Sequence, residues 1–243
     1  MELFLAFDIE TVPLPWDSFS ESQKEYILRR AETEEEIDRK KGELGLSPIT
    51  AKIVCIGMQM MERHEDGSFK LRQKSCFSVD EKLEDGVRVE KKLRTGDSCF
   101  LSNEVKMLTD FWGVLKKYHP LHLVSFNGRN FDAPFLMLRS ALLGIRPSRD
   151  LMKGTKFNYE LHTDLIDELT YYNPSAYGAT RRFNFDFYTR AFGIKSPKSE
   201  GIDGSLVPEF FKEGKILDIS EYCLRDVTAT WELYAKWLQY LKF

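Results

Sequence analysis

Runs of apolar residues alternate with charged stretches along this chain in a way that separates strands from helices. Leu3-Phe4-Leu5-Ala6-Phe7 is a short continuous apolar run, the pattern of a strand buried on both faces, and its apolar character stops at Asp8. Residues 17–45 read as a charged, mostly exposed helical insertion that ends at Gly42 or Gly45. Ala51 to Met61 returns to a strand-like run rich in β-branched residues, and Phe69 to Val79 is its expected partner across a turn at Asp66-Gly67. Residues 80–100 are polar and predict a loop or an irregular hairpin. The second half alternates: a helix over Asn103–Tyr118 carried by Val105, Leu108, Phe111, Trp112 and Leu115, a strand over Leu121–Phe126, a helix over Ala133–Leu143, and a strand over Leu161–Leu165. A last helix runs to the C-terminus from a capping signal, Asp218 with Glu221 three residues on. Hairpin-like strands followed by strands alternating with helices make a mixed central sheet flanked by helices, an α/β layer structure in a single domain over residues 1–243.

Composition changes this picture little. Hydrophobic residues are 42% and charged residues 30%, ordinary for a soluble globular chain, and no apolar run is long enough to span a membrane. The N-terminus carries no secretory pattern, so a cytoplasmic protein is expected. Cys55, Cys76, Cys99 and Cys223 are far apart in sequence with no CxxC spacing, which argues against a zinc site and leaves the redox state open, reduced and partly buried thiols of a cytosolic protein being the ordinary reading. The net charge of −3 does not suggest a simple duplex binder, but its distribution is uneven. The insertion is rich in acids (Glu32, Glu34, Glu35, Glu36, Asp38). The stretch from Arg129 to Lys198 carries Arg139, Arg146, Arg149, Lys153, Lys156, Arg181, Arg182, Arg190 and Lys195 interleaved with Phe and Tyr. That pattern suits a path for a single nucleic-acid strand, and equally suits two ordinary solvated faces.

Three clusters carry candidate chemistry. In Phe7-Asp8-Ile9-Glu10-Thr11, period-two alternation points both acids to one face of the first strand, where they repel each other unless cations neutralise them. Ser125-Phe126-Asn127-Gly128-Arg129-Asn130-Phe131-Asp132 lies between a strand and a helix, where open α/β sheets place ligands. Tyr222-Cys223-Leu224-Arg225-Asp226 puts a phenol and a carboxylate on one face of the last helix. Each alone also fits a plain role: a surface strand end, an Asp N-cap after an Asn-Gly turn, an i,i+4 pair. Together, four acids beside apolar anchors can converge on a pair of hard divalent cations, with no competing His or Cys ligand in the set.

In order and spacing these residues resemble the three exonuclease motifs of the DEDD exonucleases: FDIET as D-x-E, Asn127 to Asp132 as N-x3-F-D, Tyr222 to Asp226 as Y-x3-D. The tyrosine is that of the DEDDy branch, and His162 does not stand where the DEDDh branch would need it. SFNGRNFDAPFL and EYCLRDVTATWELY are similar to the proofreading domain of B-family DNA polymerases, and nearly the whole chain, with HTDLIDEL and GIDGSLV, resembles stand-alone predicted exonucleases related to that domain. The resemblance implies an RNase H-like fold and a 3′→5′ exonuclease using two divalent cations, Mg²⁺ or Mn²⁺. It implies that Asp8 bridges both ions, Glu10 and Asp226 hold the ion that binds the attacking water, Asp132 supports the second ion, and Tyr222 orients the water. Thr11, Asn127 and Phe131 would contact the terminal nucleotides, and Arg182 or Arg181 would approach the scissile phosphate. The expected partner is nucleic acid, foremost the 3′ ends of single-stranded DNA in repair or proofreading-like processing by a free-standing nuclease. RNA 3′-end trimming of the RNase D-like kind and a catalytically silent binding domain are the alternatives. The insertion and the segment from Val79 to Phe100 match no motif, and Asp164 and Asp167 are extra acids with surface, capping or supporting roles open to them.

Overall fold

The structure, a computed structural model, describes residues 2–196 and 204–242, so Lys198 and the start of the GIDGSLV segment lie outside the described residues. β1 (Glu2–Pro13), β2 (Ala51–Arg63) and β3 (Phe69–Val79) form an antiparallel meander. On the other side of β1, β6 (Leu121–Ser125) and then β7 (His162–Asp164) add parallel to it. β5 (Ser98–Ser102) pairs parallel with β3, and β4 (Val89–Lys92) closes that edge, giving the order β4-β5-β3-β2-β1-β6-β7. This mixed seven-stranded sheet flanked by helices is an RNase H-like α/β fold.

The apolar pattern sets which helix covers which face. Leu5, Phe7 and Ile9 of β1 point to the face covered by α3 (Glu104–Lys117) and α4 (Asp132–Leu142), where Phe7 and Phe111 lie 6.4 Å apart. Asn103 caps α3 by accepting the Lys106 N–H (2.9 Å), and Met107, Leu108, Phe111, Trp112 and Leu115 are buried, each contributing roughly 1.5–3 kcal/mol of transfer free energy. Val105, expected on that stripe, is exposed, although its neighbour Glu104 already reaches β2 by accepting the Ile53 N–H (2.9 Å).

Phe4, Ala6, Asp8 and Glu10 face the other way, toward α8 (Ile216–Tyr240). α8 buries Ile219, Cys223, Val227, Leu233 and Trp237. It begins at Ile216, with Lys215 as a cap residue whose side chain does not bond the helix end, not at Asp218. The expected capping pair is engaged elsewhere: Glu221 accepts the Arg94 N–H (2.8 Å) and Nε (2.7 Å), and Asp218 accepts Arg94 Nη2 (2.8 Å).

Residues 80–100 contain the β4–β5 hairpin, and the insertion is two helices, α1 (Glu21–Leu28) and α2 (Glu34–Glu43), each opened by a capping box and burying no residue. β7 is shorter than expected, since Leu165 already starts α5 (Leu165–Leu169). Two further short helices, α6 (Phe185–Ala191) and α7 (Val207–Lys212), carry too few turns to show a period in sequence. Among the described residues, no helix is long and apolar enough to cross a membrane.

Candidate active site

β1 delivers Asp8 and Glu10 to the α8 face by alternation alone, opposite Gly57 and Cys55 of β2. Immediately after Glu10 the register shifts, so the bulge ends the alternation at the last acid. α8 reaches this point because Gly57 has no side chain: a Cβ there would sit 2.8 Å from Cys223 Sγ and 2.9 Å from Val227 Cγ2. The close approach sets Tyr222 and Asp226, one helical turn apart, beside Asp8 in a pocket that Phe126, Phe185, Asp186 and Thr230 complete.

Asp132 arrives from the opposite edge. It is the first residue of α4, with Phe131 in the cap position, so the plain N-cap role does not apply. Its Oδ1 instead accepts the N–H of Ile9 (3.0 Å), the peptide between Asp8 and Glu10. Parallel pairing of β1 with β6 ends at Ala6 and Val124, and the Asp132 carboxylate takes up a strand N–H beyond that end.

The electrostatics of these groups are unfavourable as they stand. Burial, then the charges of Asp132, Asp226 and Glu10, hold the Asp8 carboxyl well above its usual range. Glu10 is raised in the same way by burial, Asp226 and Asp132. Burial pushes Asp132 up to about 7 even though the Ile9 N–H opposes the shift. Tyr222, buried beside Asp226, Glu10 and Asp8, is raised far above the usual phenol value, so it is a neutral hydroxyl at any physiological pH. Mutually repelling carboxyls gathered at Asp8 fit a hard divalent cation, which would neutralise them. One soft donor also stands there: ligand atoms of Asp8, Glu10 and Cys223 lie within 4.8 Å of one another, and the Cys223 thiol donates to the Asp8 carbonyl (3.5 Å).

That thiol corrects the expectation that no cysteine competes in the set. All four cysteines are buried and free, and although distant in sequence they are close in space. Cys76 and Cys99 are paired across β3 and β5, Cys55 lies opposite Ser78, and the Ser78 hydroxyl bonds Cys55 Sγ (3.3 Å) and Ser220 Oγ (2.7 Å) beneath α8.

The expected substrate-contacting residues divide. Asn127 and Phe131 lie in the turn before Asp132, Asn127 at φ +64° and Phe131 half-buried against Phe135 (5.5 Å). Thr11 spends its hydroxyl on the Gly45 carbonyl (2.7 Å), tying the end of the insertion to β1. Arg182 is bonded to Asp167 (2.6 Å), which also accepts the Tyr159 hydroxyl (3.2 Å). Asp167 therefore balances a cation, and Asp164 binds backbone N–H groups. Of the basic stretch, Arg139 pairs with Glu104, Arg149 with the Leu121 carbonyl and Arg190 with Asp186, so much of its charge is spent within the fold. Phe126, Phe185 and Asp186 were missed as pocket residues. Only Asn184, which caps α6, marks that segment in sequence.

The three comparisons with known proteins bear on this arrangement. Residues 71–242, well over half of the chain, match the family described as predicted 3′-5′ exonuclease related to the exonuclease domain of PolB. The match takes in Asp132, Tyr222 and Asp226 and begins after Asp8 and Glu10. No curated protein matches the chain significantly. Among solved structures, the family B DNA polymerase from the hyperthermophilic archaeon Pyrobaculum calidifontis shares the fold, with a TM-score of 0.57 and 18% identity over 98% of this chain. This chain covers 25% of that polymerase's length. On the strength of the family match, the chain belongs to the predicted 3′-5′ exonucleases related to the exonuclease domain of PolB.

Proposed function

We propose that the protein is a metal-dependent 3′→5′ exonuclease acting on single-stranded DNA ends, with Asp8, Glu10, Asp132 and Asp226 holding two divalent cations, Mg²⁺ or Mn²⁺, and Tyr222 beside them. One observation carries this reading: Asp8, Glu10 and Asp132 are raised together by burial and by their neighbours' charges, an arrangement that disfavours the empty charged site and favours a cation-filled one. Bound there, two cations would supply a water nucleophile near neutral pH and offset charge on the attacking and leaving oxygens.

The chain's own residues do the rest. Asp132, bonded to the Ile9 N–H, holds one carboxylate in fixed relation to β1 while the end of the strand fixes Asp8 and Glu10. Tyr222 keeps its proton and orients the attacking water through that hydroxyl, without acting as a base. Phe126 and Phe185, 4.8 Å apart at the pocket wall, offer flat apolar surface to a terminal base. Farther out, Lys156 lies over exposed Phe157 and Arg181 over exposed Phe183, itself 5.1 Å from exposed Phe187. Exposed aromatic rings with cations on their faces support a sequence-tolerant grip on unpaired bases. Such a grip favours single strands and frayed ends over blunt duplex.

The test is 5′-labelled single-stranded DNA, matched RNA and circular single-stranded DNA, each with Mg²⁺, Mn²⁺ or chelator. A ladder descending from the 3′ end, lost in chelator and faster on DNA than on RNA, is expected. Efficient cutting of the circle, which has no end to bind, would place the protein among endonucleases instead. Faster loss of the RNA would move the assignment to 3′-end trimming of RNA.

A further inference from the structure

Asp164 has no exposed surface, yet its carboxylate is fully engaged. It ends β7 and caps α5 by accepting the Ile166 N–H (3.2 Å). Capping alone would need nothing more. The same carboxylate also accepts the N–H of Asn127 (2.7 Å) on one oxygen and the N–H of Arg129 (2.8 Å) on the other, across 37 and 35 residues of sequence. Both donors lie in the turn between β6 and α4, the turn whose next helix begins with Asp132.

That turn is built to one conformation. Asn127 sits in the left-handed region at φ +64°, uncommon for residues other than glycine but one that asparagine tolerates. The Asn127 carbonyl accepts the N–H groups of Asn130 and Phe131 (both 3.1 Å), and the Gly128 carbonyl accepts that of Ala133 (2.8 Å). Gly128 leaves no slack, since a Cβ there would lie 2.4 Å from Ser125 Oγ and 3.4 Å from Asp132 Oδ2. A second link from the same strand, His162 Nε2 to Ser125 Oγ (2.8 Å), secures the entry to the turn. On its far side, Asp132 reaches the Ile9 N–H.

From this chain of contacts we infer that Asp164 is a positioning residue: it clamps the turn at Asn127–Arg129 so that Asp132 is set on the Ile9 peptide between Asp8 and Glu10. The inference rests on the exonuclease reading for its functional consequence. Its structural half, the clamp, stands on the bonds just given. Asp164 touches no substrate and acts only through Asp132 and Asn127.

Asp164→Asn is the discriminating variant. It keeps shape and one acceptor oxygen but turns an amide N–H₂ toward a backbone N–H, so one of the two long-range bonds is lost. Amide hydrogen exchange should quicken over residues 126–132 and at Ile9, while α3 and the C-terminal half of α8 stay protected. With end-labelled DNA, kcat should fall about 10- to 100-fold, the scale of a roughly 1 Å misplacement, with KM nearly unchanged and the Mg²⁺ midpoint raised. Because that variant could destabilise the fold, Gly128→Ala attacks the same turn with Asp164 intact and should reproduce both the exchange pattern and the kcat loss. Unchanged exchange at 126–132 and Ile9 in Asp164→Asn would overturn the clamp. Faster exchange with kcat unchanged, or a loss seen only in KM, would overturn the positioning role. If the wild-type protein hydrolyses no nucleic acid, the exonuclease reading fails by itself, and the exchange comparison still decides the clamp.

Discussion

α8 contributes acids to two groups little more than one turn apart, and the two groups live in opposite electrostatic worlds. At its start, Asp218 and Glu221 meet Arg94 from the β4–β5 hairpin. Burial tends to raise Glu221, but the hydrogen bonds and charge of Arg94 outweigh it and hold the carboxyl below its usual range. One turn on, Asp226 joins Asp8, Glu10 and Asp132, and there burial and like charge act together to push Asp8 and Glu10 well up and Asp132 to about 7. The same chemistry is structural where the fold supplies a cation and chemically expectant where it supplies more acids. This is the physical difference between an acid that ties elements together and one kept for a ligand.

The largest effect should come from removing the acid at the centre of the second group. Asp8→Ala is expected to reduce hydrolysis of end-labelled DNA to the level seen in chelator. Asp8→Asn should be equally inactive yet raise the metal-free melting temperature at pH 8 by roughly 2–4 °C, the shift that about 1 kcal/mol gives in a chain of this size. An active Asp8→Ala protein, free of contaminating nuclease, would erase the distinction between the two groups.

A smaller loss should follow at Tyr222, which shares α8 with both groups. If its neutral hydroxyl only orients water, Tyr222→Phe keeps the fold and its cation affinity while turnover falls roughly 10- to 1000-fold, at or below the range for a positioned proton-transfer group. Full activity in the Phe variant would make the tyrosine a packing residue of the buried stripe.

How much of this was legible beforehand depends on whether an element announces itself locally. β1, β2, β3, α3, α4 and α8 were read because their apolar periods are long, and the four acids because each follows or shares such a period. α6 was not, since its seven residues are too few for a period, and with it Phe185 and Asp186 went unseen at the pocket wall. Asp218 and Glu221 have the right spacing for a capping box, but a guanidinium more than 120 residues away competes for them, and nothing local reports that. Cys223 shows in sequence as the residue after Tyr222 in the last helix. Its approach to Asp8 depends on Gly57 of β2, a contact only the assembled sheet creates.

The smallest effect, and the one that sharpens the contrast between the two acid groups most, is the pH dependence of stability without metal. Asp8, Glu10 and Asp132 have folded pKa values above their unfolded ones, so the stability they contribute is fully present below about pH 4 and is lost as pH rises through the folded values, about 7 for Asp132. Glu221, lowered in the fold, works in the opposite sense, and its contribution is lost only as pH falls below the ordinary glutamate range. The buried histidines also oppose the first group: burial holds His122 down to about 4 and His162 to about 3, and both withdraw stability as pH falls below about 6.5, the unfolded histidine value. Across pH 8 to 6.5 the acids around Asp8 are the main contributors, with the two histidines opposing them toward the lower end and Asp164, raised by burial to about 6, adding to them there. In chelator, the melting temperature should rise as pH is lowered across that window, and the rise should shrink in Asp8→Asn. Saturating Mg²⁺ should flatten it, because cations and protons compete for the same carboxylates. A melting temperature that is flat in chelator across pH 8 to 6.5, with no change on adding Mg²⁺, would mean that these carboxyls are not held in mutual repulsion, and the contrast between the two ends of the acid-bearing segment of α8 would collapse.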